Sequence, residues 1–249
     1  MSLLLEIFQC PNVRSCLENR DSDHPCSRIV QEQGCTSAED HMMPEPWMGN
    51  LATAPILFLG PNPKLGTGYE YPSWDCPNDQ IEDFFNNHFG NGLKEWTKDG
   101  VRYITTDGKD HANSYWAATR KLALELLETG DAIAGITYAL SEVVHCASVS
   151  ENKALAEAVD ECSTFYLSRV VAESGAKVVV CLGRVAERTV RQIFTLPDEV
   201  KVHGPVDVGG LRRWFGFLPH PNAWTPPLGY TFEGNLSPEE LKQLRDCLK

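Results

Sequence analysis

The chain has 249 residues and a net charge of −12, and 42% of its residues are hydrophobic. This length and composition fit one α/β domain, or one domain with a small appendage. No apolar run reaches the ~18–20 residues of a membrane span, and the acidic balance argues against non-specific nucleic-acid binding, which depends on basic side chains neutralising phosphates.

The N-terminal segment 1–53 is rich in Cys and polar residues. We expect one short amphipathic helix in "MSLLLEIFQC" and otherwise an irregular attachment. That opening has no basic region and too short an apolar run for a signal peptide, so we expect a cytoplasmic location. Thiols stay reduced there. Clustered members of the nine Cys therefore favour a metal site, whereas isolated ones such as Cys181 and Cys247 fit small apolar core residues.

Four apolar, β-rich runs predict strands, at 54–60, 136–147, 177–183 and 213–220. The first and third are nearly continuous, as expected for strands covered on both faces of a parallel sheet. Helical patterns lie between and after them, at 113–130, 151–175, 184–194 and 237–248. Strands thus alternate with helices, which predicts the α/β class with a mostly parallel sheet.

Two polar motifs follow predicted strands directly. "LGPNPK" ends the first strand and contains Asn62, and "LPHPNAW" ends the last and contains His220. In open α/β sheets the functional crevice lies beyond the carboxyl ends of the strands. These two motifs are therefore the first candidates for a site, although Asn-Pro pairs and loop histidines are also ordinary turn features.

Together with "AKVVVCLGRVAERTV", these motifs resemble, in order, those of the uracil-DNA glycosylase superfamily, especially its iron–sulfur members of families 4 and 5. The resemblance covers most of the chain. It implies a single domain over 1–249, with a three-layer α/β/α architecture around a central, mostly parallel four-stranded sheet. It also implies a monofunctional DNA glycosylase that flips a base out of DNA and hydrolyses its glycosidic bond. DNA with a damaged or modified base is then the partner, and no membrane or obligate protein partner is expected.

The resemblance extends to a cysteine pair, Cys146 and Cys162, which fifteen residues separate. Iron–sulfur members carry a similar pair and take two more ligands from the N-terminus. Such a four-Cys set suits a [4Fe–4S] cluster. The alternative is zinc, but the tight Cys pairs typical of zinc knuckles are missing. The N-terminal ligands remain open: two of Cys10, Cys16 and Cys26, with Cys35 as a further candidate.

The catalytic pair implied by the resemblance is Asn62 and His220. Asn62 stands at the position of the catalytic Asp or Asn and would orient a water towards C1′ of the sugar. His220 would donate to the base O2, where negative charge grows as the bond breaks. The prolines around Asn62 would fix its backbone.

Other contacts follow from the same resemblance. Trp74, fourteen residues after Gly60, or Tyr71 would stack on the flipped base; either is equally well explained as a core aromatic. Asn222 would contact a DNA phosphate. Trp224 would fill the space that the flipped base leaves.

Glu142 departs from the family pattern. Family 4 has an Asn four residues before the strand-end Cys, and this chain has Glu142 there, unless the register is shifted by one or two residues. An ionised Glu can only accept hydrogen bonds. It would face the uracil O4 as a second acceptor, which is unfavourable, whereas it could accept from the N4 amine of cytosine. The resemblance thus predicts uracil, while Glu142 favours a modified cytosine, in repair or in defence against modified foreign DNA. Lys64 would lie near C5 and hydrogen-bond a polar substituent, or be a solvated surface lysine.

A local basic patch would reconcile DNA binding with the acidic charge. Its candidates are Arg184, Arg188 and Arg191 on one helix and Arg212–Arg213 beside the last strand. Two alternatives to the enzyme remain open. One is a non-catalytic iron–sulfur protein that binds nucleic acid or senses redox state. The other is a zinc-containing α/β protein that binds a small nucleotide.

Overall fold

The computed structural model describes residues 1–20, 23–66, 71–89, 97–98, 100–105, 107–128, 130–149, 153–221 and 230–249. Its helices are α1 (Leu3–Phe8), α2 (Pro11–Glu18), α3 (Ser27–Gln31), α4 (Asn78–Asn86), α5 (Ser114–Leu127), α6 (Lys153–Cys162), α7 (Ser168–Glu173), α8 (Arg184–Phe194), α9 (Phe232–Asn235) and α10 (Pro238–Asp246). Its strands are β1 (Trp47–Met48), β2 (Ile56–Gly60), β3 (Thr97–Lys98), β4 (Arg102–Ile104), β5 (Asp110–Ala112), β6 (Tyr138–Glu142), β7 (Val178–Leu182), β8 (Val202–Val208) and β9 (Leu211–Leu218).

A mixed, mostly parallel sheet with the strand order β1-β6-β2-β7-β9-β8 forms the centre. The four inner strands β6, β2, β7 and β9 are parallel, and they are the four that the sequence predicts. All residues of β2, β6 and β7 are buried, which explains their nearly continuous apolar sequences. The α/β class is confirmed.

The predicted count of four strands is wrong, because the described sheet has six. An antiparallel strand covers each edge, β1 beside β6 and β8 beside β9. β1 has only two residues, and β8 is interrupted by Gly204-Pro205, where its pairing register shifts. Proline is tolerated at a sheet edge because no further strand needs its missing N–H. Neither segment carries an ordinary strand pattern.

The N-terminal segment is not an irregular attachment. It forms α1, α2, α3 and β1. Its apolar side chains, including Ile7, Phe8 and Ile29, are fully buried within the same hydrophobic cluster as the central sheet. This packing places the N-terminal cysteines and the residues before β1 against the rest of the chain.

The helix predicted at 151–175 is divided. A π-helical turn, Ser163–Leu167, separates α6 from α7 immediately after Cys162. Such turns are frequent at functional sites. A second, three-stranded sheet of β3, β4 and β5 was not predicted from the sequence. Within the described part of the chain, no helix is long and apolar enough to cross a membrane.

Candidate active site

A cavity of about 290 Å³ lies at the carboxyl ends of the inner strands. Asn62 follows β2, Glu142 ends β6 and His220 follows β9, and all three line it together with Lys64. They meet because these strands are parallel, so their carboxyl ends share one edge. The pairing register sets Gly60 beside Glu142. The structure thus brings these four residues together at one cavity, and their assignment to an active site stays a prediction.

The side chain of Asn62 is held in one orientation. Its Nδ2 lies 2.9 Å from the Pro63 carbonyl oxygen, 3.3 Å from that of Cys146 and 2.8 Å from Ser148 Oγ. The two carbonyls can only accept, so the amide must present its N–H groups to them. The Oδ1 atom is therefore the part of the amide left for a ligand or water.

The loop that carries Asn62 is fixed to the chain that follows β6. Val144 N donates to the Pro61 carbonyl at 3.0 Å, and Ser148 N donates to that of Pro63 at 3.1 Å. Leu65 N returns a bond to the Ser148 carbonyl at 3.0 Å. These backbone bonds continue the β2–β6 pairing beyond the strands, which explains how a loop between prolines keeps a defined position.

Glu142 and Tyr115 meet above Gly60. A methyl group built on Gly60 would overlap Glu142 Oε2 and would lie 2.8 Å from Tyr115 Oη. A side chain at position 60 would therefore require the Glu142 carboxyl group to move. Burial, followed by the charges of Glu142 and Glu45, raises the pKa of the Tyr115 hydroxyl. Tyr115 thus stays a neutral phenol beside Glu142.

His220 is positioned by stacking and by a close backbone contact. Its ring is stacked with Tyr115, with centroids 5.6 Å apart and an interplanar angle of 18°. Gly183 N donates to the Leu218 carbonyl at 2.8 Å, and Gly183 has a φ of 93°. A Cβ at Gly183 would come within 3.0 Å of His220 Cβ, so the glycine gives His220 its room.

Sequence reasoning missed several cavity residues. Tyr103 on β4 and Tyr115 and Trp116 on α5 line the cavity. The Asn113 side chain caps α5 by accepting from Tyr115 N and Trp116 N, at 3.0 and 3.2 Å. An Asn directly before two aromatic residues and a helical pattern is the signal that would have placed both rings at a helix start.

Glu45 is a further missed residue. In the sequence it is an isolated acid between Pro44 and Pro46, with no other signal. It is buried and lines the same cavity. Burial raises the pKa of its carboxyl to about 8, and the Tyr71 hydroxyl opposes part of that rise. The site therefore contains two buried carboxyl groups, Glu45 and Glu142.

The two predicted stacking residues do not line the cavity. The Trp74 ring lies under the Arg14 guanidinium, whose Cζ is 4.6 Å from the ring centroid. Tyr71 packs edge-on against Phe84 and Phe85, at 5.3 and 5.7 Å. Both rings have packing roles here, and stacking on a base remains a prediction for them. Asn222 and Trp224 lie outside the described residues.

The predicted phosphate track is wrong in part. Arg191 is buried: it pairs with Glu187 at 2.8 Å, and its Cζ lies 3.6 Å from the centroid of the Phe217 ring. Arg213 is fully buried and donates to Ser174 Oγ and to the backbone carbonyls of Ala172, Ser174, Ala176 and Val208. Both guanidiniums are internal connectors and cannot bind a phosphate.

Four cysteines converge at a second place. An apolar cavity of about 20 Å³ is lined by the residues that precede α2 and α3, by one residue of the loop after β6 and by the last residue of α6: Cys10, Cys26, Cys146 and Cys162. Cys16 does not line this cavity; its Sγ lies 3.7 Å from His24 Nδ1 and 3.6 Å from Ser27 Oγ. Cys35 donates to the Asp40 carbonyl at 3.0 Å.

Polar groups surround these four thiols. His145 N lies 3.5 Å from Cys162 Sγ, and the Tyr166 hydroxyl lies 3.4 Å from Cys10 Sγ. Burial raises the pKa of Cys162 to about 12, and the His145 N–H opposes that rise. Across the described ranges, no three His, Cys, Asp or Glu side chains are grouped closely enough to hold one metal ion.

The sequence profile of the uracil DNA glycosylase superfamily matches residues 46–226. Comparison with curated proteins found no match. The profile spans well over half of the chain and includes the strand ends that carry Asn62, Glu142 and His220. On this evidence the chain belongs to the uracil DNA glycosylase superfamily.

Proposed function

We propose that this protein is a monofunctional DNA glycosylase that acts on a flipped base. The observation that carries the proposal is the convergence of Asn62, Glu142 and His220 on one cavity at the sheet edge, in a chain of this superfamily. A base must leave the stack to reach such a pocket. The aromatic rings of Tyr103, Tyr115 and Trp116 supply its apolar walls.

Asn62 would position the attacking water. Its Nδ2 is occupied by backbone and side-chain acceptors, so its Oδ1 would accept from a water aimed at C1′. An amide is too weak a base to remove the proton fully. The rate gain would come from orientation, and the oxocarbenium-like sugar would develop as the base departs.

His220 would stabilise the departing base. Negative charge grows on the base oxygen as the glycosidic bond breaks, and a donor placed in advance lowers that barrier. The stack with Tyr115 holds the imidazole in place. The rigid ring pair therefore supports a donor role without reorganisation during the reaction.

A modified cytosine is the substrate that Glu142 favours. Its buried carboxylate in the cavity would accept from an exocyclic amine and oppose a carbonyl at the same ring position. Lys64 lines the cavity and is exposed, so it could reach a polar substituent on C5. Ordinary cytosine is a normal DNA base, so the enzyme would act on a modified form, in repair or in defence against modified foreign DNA.

We propose further that the four converging cysteines bind a [4Fe–4S] cluster. The donor set fits: four thiols from separate elements meet in one apolar place. Ligands of a cluster bind different irons and stand further apart than ligands of one zinc ion. The tight Cys pairs typical of zinc knuckles are missing from the sequence, which favours the cluster over zinc. The cluster would be structural, tying α2 and α3 to α6 and to the loop after β6.

A non-catalytic iron–sulfur protein on this fold is the second candidate. It would need the cysteine site and no reactive pocket. The ordered amide of Asn62 and the stacked His220 favour the enzyme.

The test is single-turnover base release from duplex and single-stranded oligonucleotides. These carry uracil, cytosine, or their 5-methyl and 5-hydroxymethyl forms, and alkali cleavage reveals abasic sites. We expect release of at least one modified pyrimidine by the wild-type protein and its loss in Asn62→Ala. Binding of these DNAs without abasic sites on any of them would favour the non-catalytic alternative.

A further inference from the structure

We propose that Glu45 is a second base-reading residue, which works with Glu142 as a hydrogen-bond donor and acceptor pair. This inference rests on the proposed function and narrows its substrate. The pair would recognise the amine and the adjacent ring nitrogen of a cytosine-type base. Glu45 comes from the N-terminal side of the sheet, so two separate parts of the chain would read one base.

The position of Glu45 is fixed by its backbone. Glu45 N donates to the His145 carbonyl at 2.8 Å, and His145 Nδ1 lies 2.7 Å from the Glu45 carbonyl oxygen. Both contacts use backbone atoms of Glu45, so its carboxyl group takes no part in them. Glu45 and Glu142 are each 7% exposed and line the same cavity. A carboxyl held this deeply in a ligand pocket is placed to touch the ligand.

The surroundings of Glu45 favour its protonated form. The Tyr71 hydroxyl, from the loop before α4, hydrogen-bonds its carboxyl group, and Tyr115 from α5 lies near enough to Glu45 and Glu142 for both charges to act on its hydroxyl, while Lys64 and His220 line the cavity with these acids. Burial disfavours the charged form of a carboxyl group. Glu45 is the neutral member at pH 7, because burial raises its pKa to about 8.

Glu142 is better suited to carry the charge. It stands beside the Tyr115 hydroxyl, and Ser114 and Tyr115 begin α5, whose N-terminus favours negative charge. The pocket would then present a carboxylic acid from Glu45 and a carboxylate from Glu142. Cytosine offers the matching pattern, an N4 amine that donates and an N3 that accepts. Uracil reverses both positions and would require the proton to move onto Glu142.

Two substitutions separate donor from titrating acid. Glu45→Gln keeps the size and an N–H donor but cannot ionise. Glu45→Met keeps the approximate size and removes the donor. We expect Glu45→Met to lower the preference for cytosine-type over uracil-type bases roughly 10- to 100-fold, because N3 is left unpaired in a closed pocket. Glu45→Gln keeps a donor for N3, so it should lower that preference much less than Glu45→Met at pH 7. The matched control is Glu39→Gln, an exposed acid of the same segment.

The pH profile gives a readout that a packing role would not produce. In wild type, release of the cytosine-type base should fall as pH rises through about 8, where Glu45 loses its proton. In Glu45→Gln this fall should be absent. Melting temperatures of both variants establish that they are folded. An unchanged base preference in folded Glu45→Met, or an alkaline fall that persists in Glu45→Gln, would overturn the proposal.

Binding separates this proposal from the proposed hydrolysis. Duplexes whose target nucleotide carries a 2′-fluoro group in the arabino configuration resist cleavage, so base-dependent affinity can be measured without turnover. If wild type prefers the cytosine analogue and Glu45→Met does not, the reading role holds even where no base is released. If base release occurs with a base preference that Glu45→Met does not change, the base-reading role of Glu45 is rejected and the glycosylase activity is retained. If wild type shows no base release and no base-dependent binding, both proposals are rejected.

Discussion

At the scale of single residues, the contacts of Asn62 restrict its possible chemical role most strongly. Three acceptors hold its Nδ2, so its Oδ1 is the catalytic atom of our proposal. We expect Asn62→Ala to lower single-turnover base release roughly 100-fold, as lost positioning does. Affinity for substrate DNA should stay close to wild type in a gel-shift or anisotropy assay.

Ser148→Ala is the matched control for Asn62. It removes one of the three acceptors and leaves both backbone carbonyls, so the amide should keep its orientation. Release should then slow much less than in Asn62→Ala. Equal rates for wild type and Asn62→Ala would assign water positioning to another group.

Glu142 carries the substrate prediction at the same scale. Glu142→Asn should shift the preference towards uracil roughly 10- to 100-fold, because an amide can donate to O4 and the carboxylate cannot. Glu142→Gln keeps the size of the side chain and also supplies an amide donor, so it should shift the preference in the same direction but less. Matched duplexes that differ only in the target base measure the ratio. If neither variant changes it, Glu142 does not contact the base edge.

At the scale of secondary-structure elements, the cysteines connect the N-terminal helices to the core. Cys10 immediately precedes α2, Cys26 immediately precedes α3 and Cys162 ends α6. We expect Cys10→Ala, Cys26→Ala, Cys146→Ala and Cys162→Ala each to lose iron and to become less stable, because binding energy of a metal group is folding energy. Iron and sulfide analysis of the purified proteins measures this.

Two other cysteines are the controls. Cys16 does not line the four-Cys cavity, and Cys181 is a fully buried core residue of β7. Cys16→Ala and Cys181→Ala should retain iron. Loss of iron in Cys16→Ala with retention in Cys26→Ala would exchange these two ligands in our proposal.

The neighbouring arginines of β9 have opposite roles. Arg213 connects the end of α7, the start of β7 and the β8–β9 turn through its hydrogen bonds to main-chain carbonyls. Arg213→Lys keeps the charge but loses the planar fork, so we expect a loss of about 3 kcal/mol in the free energy of unfolding. Arg212→Lys, at an exposed position, should change it by less than about 0.5 kcal/mol. Urea denaturation compares them, and similar values for both would contradict the connector role.

For the molecule as a whole, sequence patterns predicted the strands and helices that form by burying long apolar segments. The four inner strands and the helices α5, α8 and α10 have such patterns, and the two strand-end motifs brought Asn62 and His220 together. The edge strands escaped because β1 is two residues long and β8 is interrupted by a Gly-Pro pair. Arg213 escaped because a charged residue next to a charged residue suggests solvent, and only the tertiary fold reveals the carbonyls that it binds.

Glu45 shows the same limit for the site. One acid between two prolines carries no periodic signal. Its place in the cavity follows from the pairing of β1 with β6 and from the bonds to His145. Long-range contacts of this kind are set by the whole packing. Of the two proposed base-reading residues, the sequence therefore pointed to Glu142 and not to Glu45.

The whole fold should also be sensitive to acid, because histidines are buried neutral in its core. Burial lowers the pKa of His41 to about 4 and of His88 to about 3. The unfolded chain binds these protons near pH 6.5 and the folded chain does not, so the contribution of these two histidines to stability is full above pH 6.5 and is lost as pH drops towards 4. Each histidine contributes about 3 kcal/mol to that loss.

His88→Phe tests this prediction. The His88 ring packs against the rings of Phe84, Phe89 and Trp116 at 4.8–5.5 Å, so a Phe keeps the packing and removes the titration. Urea denaturation between about pH 4 and pH 7 should show a shallower loss of stability in His88→Phe than in wild type. His111→Gln, at an exposed position, should follow the wild-type curve. Parallel curves for wild type and His88→Phe would mean that His88 gains its proton inside the folded core, and the acid sensitivity would then have to come from other groups.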